Sequence, residues 1–107
     1  MRKLAIILAP SLVLLASQAV AENWVTVDTS FGLSTAVDKD SIRRGSDGLV
    51  YFKADDTEDD VSSAVDCQNR VIHWFKTGAD YRTGKAFPVD PDSPEDAELK
   101  YVCANAG

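Results

Sequence analysis

The chain has 107 residues, with seventeen acidic against eleven basic side chains, one histidine and two cysteines. That length allows one domain. The net charge of −6 opposes a phosphate backbone, which sets nucleic acid aside as a partner.

The N-terminus carries an export signal. Arg2 and Lys3 form a short positive region, Leu4 to Ala16 is almost wholly apolar, and Ala19-Val20-Ala21 places small residues at the two positions a signal peptidase reads. The apolar runs are shorter than the roughly 20 residues needed to span hydrocarbon. The sequence therefore predicts a signal peptide over 1–21, cleavage after Ala21, and a single mature domain over 22–107. No cysteine follows the apolar stretch, so lipid anchoring has no attachment residue, and no later segment is apolar enough to hold a membrane. The expected product is exported and soluble, in a periplasm or the medium. Loss of Arg2 and Lys3 leaves nine basic residues against seventeen acidic ones, a charge of −8. Such a charge favours solubility.

Roughly 86 residues bury only about two-thirds of their unfolded surface, so stability is marginal. In an oxidising compartment the remedy is a disulfide, and Cys67 and Cys103 allow one intramolecular pairing. The closed loop of about 37 residues contributes roughly 4 kcal/mol in the chain-entropy account.

Along the mature chain the first segments read as strands. Trp24-Val25-Thr26-Val27 is β-branched and aromatic. Phe31, Leu33, Thr35 and Val37 alternate with smaller residues at a period of two. Asp38 to Ser41 reads as polar turn material. Ile42 to Ala54 reads as a hairpin turning at Gly45-Ser46-Asp47-Gly48, with Leu49 to Phe52 returning as a central strand. Asp55 to Asp60 holds five acids in six positions and reads as a solvated loop.

Val61, Ser63, Val65 and Cys67 share one face of the next strand, and Gln68-Asn69 supplies a turn. Arg70 to Thr77 is bulky and apolar on both parities, which predicts a strand covered on both sides. Tyr81 to Lys85 is a loop or hairpin tip. Ser93-Pro94-Glu95-Asp96 starts a helix: serine caps the free amides, proline takes the first helical position, and two acids face the positive end of the dipole. Leu99, Val102 and Cys103 fall on one side of that helix. Strands first and one helix last predict an α+β fold, an antiparallel sheet with a C-terminal helix packed on it and held by the disulfide.

Four segments together resemble the surface-adhesin protein E family of Gram-negative bacteria. Trp24 opens the first strand. Val37-Asp38-Lys39-Asp40-Ser41-Ile42-Arg43-Arg44 is similar to the family's Asp-then-Ser-Ile segment before a hairpin. Val65-Asp66-Cys67-Gln68-Asn69-Arg70 resembles its Asp-Cys strand. Pro91-Asp92-Ser93-Pro94-Glu95, with Lys100-Tyr101-Val102-Cys103, resembles its closing segment. The resemblance implies the same sheet, helix and disulfide, no enzymatic activity, and binding to host matrix proteins. The family's founding adhesins are lipid-anchored, and this chain lacks the acylated cysteine.

No catalytic constellation is legible. His73 sits between Ile72 and Trp74 in a strand, without nucleophile-elbow glycines beside Ser62 or Ser63, and a lone histidine makes no zinc site. The run Asp55–Asp60 offers oxygen ligands but lacks the order of a calcium loop and its terminal glutamate. No cofactor is expected. Tyr81 and Arg82, in a loop, are the predicted contact residues for a protein partner. Two partner readings stand: adhesion to host or matrix proteins, and a periplasmic accessory or inhibitor role. A free sheet edge also allows a homodimer.

Overall fold

The computed structural model describes residues 22–32 and 34–106. The signal-peptide reading, with Ala19 and Ala21, and the placement of Leu33 lie outside those residues. Six strands form one antiparallel sheet: β1 (Trp24–Asp28), β2 (Thr35–Arg44), β3 (Val50–Ala54), β4 (Val61–Asp66), β5 (Val71–Lys76) and β6 (Lys85–Pro88). Their order across the sheet is their order in the chain. One helix, α1 (Pro94–Ala104), follows. The architecture is α+β, with Cys67 and Cys103 joined in a disulfide.

Two segments differ from the sequence reading. Ser30–Gly32 forms a turn of 3-10 helix, and β2 begins only at Thr35. Asp38 to Ser41 is not a turn but part of β2. The register there slips: Asp38 faces Lys53, yet Arg43 faces Tyr51, so β2 carries extra residues as a bulge. Side chains replace the missing ladder bonds. Asp38 Oδ1 accepts the N–H groups of Asn23 and Asp40, each at 3.1 Å. Ser41 Oγ donates to the Asp38 carbonyl at 2.7 Å and accepts the Lys53 N–H at 2.8 Å. Polar residues that read as a turn are here the bulge's own hydrogen-bonding kit.

The period-two pattern splits the sheet into two faces. Val50 pairs with Val65, which pairs with Ile72. This row, with Phe52 and Ala54, is buried against Leu99, Val102 and Ala106 of α1 and its tail. Each such aliphatic side chain contributes about 1.5–3 kcal/mol when fully buried. The other face holds a smaller cluster of Leu49, Ala64 and Phe75, with Tyr51 and Tyr81 packed against it. A short 3-10 helix, Tyr81–Thr83, covers this side of β5. Gly84 makes the approach feasible, because a Cβ there would sit 2.0 Å from the Trp74 carbonyl oxygen and 2.7 Å from Phe75 Cβ. β5 thus buries one residue on each side, Ile72 toward the helix and Phe75 toward the Tyr81–Thr83 turn, and leaves Trp74 half-buried.

The helix start matches its sequence signature. Ser93 Oγ accepts the Asp96 N–H at 3.1 Å and Pro94 opens the first turn. Asp96 is itself buried and gathers donors from three directions. Its carboxylate pairs with Arg70 and with Lys100 at 3.1 Å, and it accepts the Asp92 N–H at 3.0 Å. The Arg70 hydrogen bond, then the Asp92 amide, hold this carboxyl far below the usual range, and Lys100 adds to them. α1 packs across β1, β2 and β3. The disulfide carries its far end to the residue that follows β4.

Glu98 is the anomaly of this interface. It is 1 % exposed, and its Oε2 has no hydrogen-bond partner among the described residues. Burial, followed by the carboxyl groups of Asp56, Glu95 and Asp55, pushes Glu98 up to about 9. At neutral pH the side chain is a neutral acid. The helical repeat places the side chain inside, since Glu98 lies one turn before the fully buried Val102.

Two predictions arise here. Replacing both cysteines by serine lowers the unfolding free energy by about 4 kcal/mol in denaturant titration, and reducing agent reproduces the loss in the native chain. The second concerns pH. Asp96 is depressed, so its contribution is present above the ordinary carboxylate range and fades as pH falls through it. Glu98 is raised, so the folded state must hold a proton that the unfolded chain releases near pH 4.5, up to about 9. Stability therefore peaks on the acid side of neutrality. Glu98→Gln removes the decline above that peak, with a gain of up to roughly 5 kcal/mol near pH 8 by thermal or denaturant unfolding. An unchanged alkaline slope in E98Q refutes the protonated assignment.

Candidate functional site

The sheet face opposite α1 gathers the polar and aromatic side chains that the core does not consume. Its first element is the β2–β3 hairpin. Gly45 accepts the chain's return: its N–H donates to the Leu49 carbonyl at 2.8 Å, and a Cβ there would meet Asp47 Oδ1 and the Tyr51 ring, each at 2.7 Å. The absent Cβ lets the Tyr51 ring lie against the turn. The Tyr51 hydroxyl donates to Asp47 Oδ2 at 2.6 Å, and Asp47 Oδ1 accepts the Leu49 N–H at 2.9 Å. The acceptor carboxylate pushes the Tyr51 hydroxyl up to about 12, and the hydroxyl in turn holds Asp47 below the usual range. Arg43, opposite Tyr51 in the register, lays its guanidinium 4.6 Å from the ring centroid.

The second element is the β5–β6 connection. Asp80 caps the 3-10 turn: its Oδ1 accepts the Arg82 N–H at 2.8 Å, and Oδ2 accepts from the guanidinium at 2.7 Å. These bonds lower the Asp80 carboxyl to about 2. The Arg82 guanidinium also lies 5.5 Å from the Tyr81 ring, and Tyr81 stands edge-on to His73 at 4.9 Å. The predicted contact pair, Tyr81 and Arg82, thus meets Tyr51 and Asp47 around a shallow pocket of about 230 Å³. A larger pocket of about 340 Å³ adjoins it, sharing Tyr51 and Ala79 and reaching Arg43, Lys53, Ser62 and Thr77. Sequence reasoning read Tyr51 only as part of a central strand and did not select Arg43. The signal for both lay in the alternation of the hairpin, which puts Arg43 and Tyr51 on one face.

The alternative chemistries find no assembled site. Ser62 Oγ shares a hydrogen bond with Thr77 Oγ1 at 2.8 Å. Ser63 is 1 % exposed with an unpartnered hydroxyl. No hydrogen bond joins either serine to His73 among the described residues, and none of their His, Cys, Asp and Glu side chains form a group of three able to hold a metal ion. On the helix side, Phe87 is 38 % exposed and packs 5.0 Å from Trp74 beside a groove of about 520 Å³. No described helix is long and apolar enough to cross a membrane.

No protein family, curated protein or solved structure matches the chain.

The Asp47–Tyr51 bond is directly measurable. In an ultraviolet titration of tyrosinate, one of the three tyrosines ionises only near pH 12, and Asp47→Asn returns it toward the ordinary value of 10.0. Three tyrosines titrating together in the native chain contradict the pairing.

Proposed function

We propose that the mature chain is an exported, non-enzymatic protein-binding module of the protein E adhesin type, working through the sheet face that α1 leaves open. The observation that supports this is the cluster of Tyr51, Tyr81 and Arg43 around two adjoining pockets on that face. Tyrosine and arginine are the side chains most often found at the energetic centre of protein interfaces. Here they are preoriented: Tyr51 by Asp47, Arg43 by the Tyr51 ring, and Tyr81 by His73 and Arg82. Preorganisation lowers the ordering cost of association. The disulfide agrees with an oxidising compartment. β1 and β6 form the two edges of the sheet, so a second copy has a strand edge to pair with. Lys85 and Pro88 oppose such pairing at β6.

Adhesion requires the chain on the cell surface, and protease treatment of intact cells tests that. Cleavage of the mature chain, with a periplasmic control spared, places it outside and directs binding assays to purified host matrix proteins. Survival until the outer membrane is opened refutes adhesion for the cell-associated form and turns the search to a periplasmic partner. With a matrix protein in hand, Tyr81→Ala costs at least tenfold in affinity, about 1.4 kcal/mol, with the thermal midpoint nearly unchanged. Equal affinity in Y81A removes this face from the interface.

A further inference from the structure

We propose that the pocket between Arg43 and Lys53 is a carboxylate-binding site, and that a protein partner enters it with an acidic segment. The proposal rests on the protein-binding reading and names the chemistry of the partner.

The pocket stands out by charge. In a chain with seventeen acidic residues, its wall includes Arg43 and Lys53 and no Asp or Glu. Its volume of about 340 Å³ lies within the range of small-ligand sites. It has room for a carboxylate side chain and its immediate backbone.

The two cations are differently prepared. The Lys53 ammonium already holds a carboxylate, that of Glu22 at 2.6 Å. The chain thus supplies its own precedent for the interaction at the rim. Arg43 has no carboxylate within ion-pair distance among the described residues, unlike Arg70 and Arg82. Asp47 is near enough to feel its charge, but Asp47's oxygens are engaged by the Tyr51 hydroxyl and the Leu49 amide. The Tyr51 ring holds the guanidinium over its face, 4.6 Å from the centroid. The guanidinium N–H fork remains available for a bidentate carboxylate. The mutual bond of Ser62 and Thr77 uses one hydroxyl proton and leaves the other to donate.

The occupant follows from the surroundings. A single unpaired guanidinium matches one carboxylate. A polyanion, such as a sulfated glycan or a nucleic acid, would have to lie along a surface whose flanks are acidic, with Asp47 and Asp80 at one end and Asp59 near Lys53. A short acidic peptide puts its charge into the pocket alone.

The test uses the disulfide-intact mature chain and two probes, an end-blocked hexapeptide with one glutamate among neutral residues and a heparin hexasaccharide. With the peptide, amide shifts are expected to saturate around Arg43, Tyr51 and Gly78, and the affinity to fall with added salt. Arg43→Gln should weaken the peptide at least fivefold, Arg43→Lys should lose less, and Lys85→Gln, on the helix side of the sheet, should change nothing. Three results overturn the proposal: no saturable shift with the peptide, equal affinity in R43Q, or tighter binding of the hexasaccharide. If a matrix protein binds R43Q as well as the native chain while Y81A weakens it, the protein-binding reading stands and the carboxylate site does not.

Discussion

One helix cannot cover six strands, and the fold depends on where that helix is pinned. Two clamps hold it. The buried Asp96 carboxylate at its first turn takes Arg70 from the β4–β5 turn, and Cys103 in its last turn is bonded to Cys67 at the start of the same turn. Both reach the same short stretch, Cys67 to Arg70. The helix body is thereby laid across β1, β2 and β3, and the aliphatic row Val50, Val65 and Ile72 is closed under Leu99 and Val102. Arg70 adopts a positive φ of 57°, an uncommon backbone for a non-glycine residue. Asp66 ties that turn together: its carboxylate accepts the Gln68 and Asn69 N–H groups, and its carbonyl accepts the Arg70 N–H at 2.9 Å.

The same placement decides which surfaces remain open. With α1 over the first three strands, Trp74 and Phe87 lie at the uncovered end of the helix side. The opposite face has only the Tyr81–Thr83 turn over it. The first opening is apolar, and nothing in the structure specifies what would cover it. The second is polar, aromatic and locally ordered by hydrogen bonds. A surface whose side chains already point one way through intramolecular bonds loses less rotamer freedom on meeting a partner. That difference, rather than the size of either groove, favours the face bearing Tyr51.

Much of the fold was legible because its period was unbroken. Alternation over Val61 to Asp66 and Val71 to Lys76 placed β4 and β5, and the Ser93-Pro94 start with the spacing of Leu99, Val102 and Cys103 placed α1. The misreading at Asp38 to Ser41 has a physical cause. Composition signals a turn because Asp and Ser satisfy backbone donors with their side chains. A β-bulge needs the same service, and Asp38 and Ser41 supply it within the strand. The candidate site was only half visible. Tyr81 and Arg82 were legible as loop residues, whereas Arg43 and Tyr51 acquire meaning only when the register sets them opposite each other.

Glu98 shows why the remainder was hidden. A glutamate in an acidic helix start reads as a solvated residue, and the run Asp55–Asp60 reads as a solvated loop. Each reading is sound in isolation. Packing brings Asp55 and Asp56 close to Glu98, and Asp55 is anchored there by accepting the Ala36 N–H at 2.8 Å. With no cation able to be shared by three of these groups among the described residues, the proton is the counter-charge that burial demands. The helix that Asp96 secures through an ionised carboxylate is thus closed, two residues on, by a neutral one. The two acids, two residues apart on the same helix, respond to pH in opposite senses because one faces Arg70 and the other faces carboxyl groups.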